Sequence, residues 1–73
     1  MDTEGRSLSA LVKEIRRQLS LSQEDLARQL GVSYATVNRW ENGLSKPSKL
    51  AKAQLETFCK KMTSQGKLTL PEG

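Results

Sequence analysis

From Ser7 to Leu19 the apolar positions Leu8, Leu11, Val12, Ile15 and Leu19 recur at intervals of three and four, the spacing that lines one face of an α-helix. Ser7 is the expected N-cap. A second helix is predicted over roughly residues 23 to 30, where Ser22 and Asp25 resemble a capping box with a short acid in place of the usual Glu. Leu26, Ala27 and Leu30 supply its inner face, and Gly31 follows where a left-handed C-cap costs least. Only Gly31, Val32 and Ser33 separate it from a third helical pattern, with Ser33 as N-cap, Val37 and Trp40 facing inward and Gly43 as the stop. Lys46, Pro47 and Ser48 break and recap the chain; Ala51, Leu55, Phe58, Cys59 and Met62 then stripe a last helix that ends near Ser64 to Gly66. The expected architecture is all-α, a compact bundle of four or five helices. Residues 1–6 read as a flexible N-terminus, 7–64 as the folded domain and 65–73 as a tail, for which disorder is the expectation over an added strand.

Two short helices joined by a three-residue, Gly-containing turn cannot lie antiparallel and cross steeply, as in a helix-turn-helix. Projecting Ser33 to Asn42 at about 100° per residue sets Val37 and Trp40 on one side. Ala35, Asn38, Arg39 and Asn42 fall on the other, with Tyr34 at the flank. Arg donates a pair of hydrogen bonds to guanine, Asn pairs with adenine, and Ala or an aromatic edge touches a thymine methyl, so this face suits base edges in a major groove. An ordinary polar helix surface has a similar composition, and the helix alone does not separate the two.

Charge shifts the balance. The 73 residues carry a net charge of +4. Through Gly43 the basic residues Arg6, Lys13, Arg16, Arg17, Arg28 and Arg39 cancel Asp2, Glu4, Glu14, Glu24, Asp25 and Glu41; the excess lies beyond, in Lys46, Lys49, Lys52, Lys60, Lys61 and Lys67 against Glu56 and Glu72. Lys46 and Lys49 flank the positive N-terminus of the last helix, where cations are mildly unfavourable. An external phosphate there would reverse the sign. Gln23, opening the second helix, is a further candidate for a phosphate.

With no His and one Cys, the chain offers neither a metal site of the usual ligand count, nor an intramolecular disulfide, nor a nucleophile with its base. It reads as no enzyme, without cofactor or metal, and Cys59 as a small core residue. No apolar run approaches the roughly 18 to 20 residues of a membrane span, and Met1-Asp2-Thr3-Glu4-Gly5 lacks the form of a signal peptide. The expected location is cytoplasmic.

The stretch Leu21-Ser22-Gln23-Glu24-Asp25-Leu26-Ala27-Arg28-Gln29-Leu30-Gly31-Val32-Ser33, continued by Thr36-Val37-Asn38-Arg39-Trp40-Glu41-Asn42-Gly43 and Lys46-Pro47-Ser48, resembles the Cro and phage-repressor type of helix-turn-helix. The resemblance spans about residues 8 to 62. It implies a lambda-repressor-like fold that binds double-stranded DNA. Tyr34, Ala35, Asn38 and Arg39 would face bases, and Gln23, Ser33, Asn42, Lys46 and Lys49 would face phosphates. It further implies an ion pair between Arg16 and Glu41 that braces the motif. Members of this family usually carry a short fourth helix and a separate fifth one with much of the dimer contact; here one longer helix stands in place of both, so a homodimer is left open. Two readings follow: a sequence-specific DNA-binding regulator, as for a repressor on a palindromic site, or an interaction or targeting module of a larger DNA-modifying, restriction or toxin-antitoxin system.

Overall fold

The computed structural model describes the backbone of residues 4–70 and side chains from Leu8 onward. Residues 1–3 and 71–73, the ends of the expected N-terminus and tail, lie outside the described residues. Four helices follow one another: α1 (Glu4–Leu19), α2 (Gln23–Leu30), α3 (Tyr34–Glu41) and α4 (Lys49–Ser64). α1 starts a turn before the Ser7 cap predicted from sequence. Helix extension adds one hydrogen bond per residue fixed, and no proline stands between Glu4 and Ser7 to stop it.

The remaining N-caps follow their local chemistry. Ser22 Oγ accepts the Asp25 N–H at 2.9 Å while the Ser22 N–H donates to Asp25 Oδ2 at 3.1 Å, a reciprocal capping box with aspartate as its acid. Ser33 and Ser48 take the N–H groups of Thr36 and Ala51 in the same way, each at 3.1 Å. All four helices close through a left-handed residue: Ser20, Gly31, Gly43 and Gly66 have φ of 56°, 73°, 70° and 74°. At each the following N–H reaches back to a carbonyl of the last turn; Val32 donates to Ala27 and Leu44 to Arg39 at 3.0 and 2.9 Å.

Val12, Ile15, Leu26, Ala27, Leu30, Val37, Trp40, Ala51, Leu55 and Phe58 form the core, and Cys59 and Met62 are half-buried against it. α3 packs on both α1 and α2, so its inner face is covered from two sides. The segment after α4 departs from expectation. Leu68 is only 2% exposed and belongs to the core. Gln18 holds this segment to α1 through both ends of its amide, donating to the Thr69 carbonyl at 2.7 Å and accepting the Thr69 N–H at 2.8 Å. The expected disorder therefore does not describe residues 67–70: a buried leucine and a paired backbone offset the entropy of ordering them.

Candidate nucleic-acid interface

The turn from α2 to α3 sets the site. Gly31 in the left-handed region turns the chain sharply between α2 and α3, a backbone conformation that a Cβ would oppose. Leu30, Val37 and Trp40 then lock the two helices together from inside. Burial of Val37, Trp40 and Glu41 on one side fixes which side faces out. Tyr34, Ala35 and Arg39 are exposed, Tyr34 by 52%. Asn42 is exposed at the C-terminal end of the helix, and Asn38 is half-buried.

Beneath this face lies the ion pair that the resemblance implies. Arg16 grips Glu41 with two donors, Nε to Oε2 at 2.6 Å and Nη2 to Oε1 at 2.9 Å, and its Nη1 donates to the Leu21 carbonyl at 3.1 Å. Glu41 is 6% exposed, the one buried charged residue among those described. Its carboxyl is held below the usual range, chiefly by the Arg16 hydrogen bond, against the opposing effect of burial. Ser9 Oγ donates to the Glu41 carbonyl, tying α1 to the end of α3 from a second point.

Gln23, expected at a phosphate, turns inward instead. Its Nε2 donates to Glu41 Oε1 at 3.0 Å and its Oε1 accepts from Asn38 Nδ2 at 3.2 Å. Asn42 Nδ2 in turn donates to the Asn38 carbonyl at 2.9 Å and to Asn38 Oδ1 at 3.1 Å. The Ser33 hydroxyl caps α3 and also hydrogen-bonds Thr36 Oγ1 at 2.9 Å. This linkage escapes sequence reasoning because its members lie on different helices and each amide has an innocent surface role. The only trace is the three-residue step from Asn38 to Glu41, which puts both on the edge of α3 facing α2.

Lys46 and Lys49 are exposed, one on the connection and one at the first position of α4. The exposed Leu44 and Leu50, 66% and 72% accessible, lie on the same stretch of chain. Cys59 is half-buried, and burial pushes its thiol above the usual range, with Glu56 nearby adding to the effect. Among the described residues no helix is long and apolar enough to cross a membrane, and no cluster of His, Cys, Asp and Glu could hold a metal ion.

A short helix held by a tight glycine turn against its predecessor, with one face in the core and the other carrying Tyr, Ala and Arg, defines the helix-turn-helix class of DNA-binding domains. The chain belongs to the helix-turn-helix family, of the phage-repressor type, which it matches over residues 12–53. It is also 41% identical over 49 residues to a type II methyltransferase from Lactococcus lactis subsp. cremoris, a similarity that covers 63% of this chain and 13% of that protein. No solved structure matches the chain.

Proposed function

We propose that the domain binds double-stranded DNA in a sequence-specific manner, laying α3 in the major groove, and that it serves as a transcriptional regulator. The observation that carries this reading is the division of α3: Val37, Trp40 and Glu41 are buried while Tyr34, Ala35 and Arg39 stand out together. Arg39 is the reader of a guanine, Ala35 and Tyr34 touch apolar base edges, and Asn38 lies beside them. Ser33 immediately precedes α3, and Lys46 and Lys49, both exposed, follow it in the chain; on this reading they meet phosphates, which position the helix without reading sequence. Two copies would occupy a palindromic site with half-sites about 34 Å apart.

Selection of bound duplexes from a random pool tests this directly. Enrichment of a palindrome with half-sites about one helical turn apart is the expected result; a pool that stays random refutes it. Arg39→Ala should relax the preference at one or two base pairs by about 1 to 3 kcal/mol. Equal losses on selected and random DNA would take Arg39 out of the reading role.

The similarity to a type II methyltransferase favours a second reading, in which the domain is the targeting or interaction module of a DNA-modifying system. An amide-shift titration with random and palindromic duplexes separates the two. Shifts across Tyr34 to Asn42 support groove binding, and their absence supports a protein partner.

A further inference from the structure

α3 packs on α1 and α2, and α4 packs on α2, while α1 and α4 share little direct contact. Between them runs a groove of about 750 Å3, half open to solvent. Leu8 and Leu11 of α1, Leu55 and Cys59 of α4, and Leu70 of the final segment line its apolar floor, and all but Leu55 are only half-buried. Lys52, Glu56 and Lys60 stand exposed along the α4 rim, with Lys46 at the end nearer the connection. No described residue of α3 lines this groove.

The rim restricts what fits. Three lysines against one glutamate make the field over the groove positive. Glu56 stands one helical turn from both Lys52 and Lys60, yet neither pair closes into an ion pair among the described residues. A second copy of the chain would set these lysines against their own images, since a two-fold contact joins a patch to itself. Lys52 and Lys60 are also separated by roughly 12 Å along α4, from the rise per residue of a helix. A small carboxylate reaches one of them, whereas a helical segment with acids two turns apart reaches both.

We propose that the groove between α1 and α4 docks an acidic amphipathic helix of a partner protein, its apolar side chains entering the leucine floor and its carboxylates meeting Lys52 and Lys60. An amphipathic helix laid in an apolar groove is a recurring mode of recognition, in which the floor supplies affinity and the charged rim chooses the partner. This docking does not depend on what the outer face of α3 binds, so no result with DNA decides it.

The probe is a synthetic peptide of about 15 residues, long enough to hold a helix, with leucines on one face at intervals of three and four and glutamates beside them; a twin carries lysine at every glutamate. Titrated into the full chain, the glutamate peptide should shift the amide resonances of Leu8, Leu11, Cys59 and Leu70, and the lysine twin should leave them in place. Lys52 and Lys60 are exposed, so Lys52→Glu combined with Lys60→Glu leaves the core intact. The double variant should bind the glutamate peptide about tenfold more weakly, the scale of two exposed ion pairs. No shift with the glutamate peptide overturns the docking, and equal binding of both peptides, or an unchanged affinity in the double variant, overturns the choice of an acidic partner. Sedimentation of the chain alone tests the rival occupant. A dimer whose dissociation on dilution moves the same four resonances would place a second copy in the groove and overturn the proposal; a monomer supports it.

Discussion

Ser20 closes α1 with φ of 56°, in the left-handed region where a side chain crowds the next carbonyl and glycine does not. The other three helices place glycine at the equivalent point. Ser20→Gly should relieve that crowding at the expense of a freer unfolded chain, for a net gain of about 0.5 kcal/mol in a denaturant melt. Loss of stability would mean that the Ser20 side chain makes a compensating contact. Glu41 invites a different test. Arg16 holds its carboxyl below the ordinary value of 4.5, so its contribution is complete above that pH and fades as pH falls through the lowered value. Glu41→Gln strands the Arg16 guanidinium, whose side chain is 26% exposed. At neutral pH the cost should be about 3 kcal/mol, the low end for a broken buried pair. The gap between variant and wild-type melting temperatures should narrow on acidification below pH 4.5; a constant gap would show that packing, not charge, is responsible.

At the scale of elements, the segment after α4 is as structural as the helices. Leu68→Ala should cost about 3 kcal/mol, as for other buried leucines, and guanidinium melts would show it as a lower midpoint. An unshifted midpoint would mean that residues 67–70 do not pack in solution. This segment also marks where sequence reasoning stops. Ser22 with Asp25, Gly31, and Pro47 with Ser48 act within a few residues of themselves, so the bounds of α2, α3 and α4 were legible from caps and breakers. Gln18 and Thr69 are 51 positions apart, and Leu68 alternates with polar neighbours like any short tail. Nothing periodic announces such a contact. The same holds within the site: Tyr34, Ala35 and Arg39 follow from a helical projection, whereas the inward turn of Gln23 depends on Glu41 across 18 positions.

For the whole molecule, the separation of charge matters more than its total. The stretch through Gly43 is neutral in sum, and the excess of +4 follows it. On the proposed groove-binding reading, Lys46 and Lys49 would add affinity without choosing sequence. Lys46→Ala should weaken selected and random duplexes alike and reduce the slope of log K against log salt by about 1. A loss confined to the selected site would place Lys46 among the base readers.

Trp40, the sole tryptophan, is 1% exposed on the inner side of α3. An indole in dry surroundings emits at shorter wavelength than one in water, and nothing that lands on the front of α3 touches this one. Its emission should stay fixed as duplex is added and move to the red only when the domain opens. The molecule therefore carries a built-in, label-free control. A variant that stops binding DNA while its emission stays blue has lost a contact, and one whose emission reddens has lost its shape.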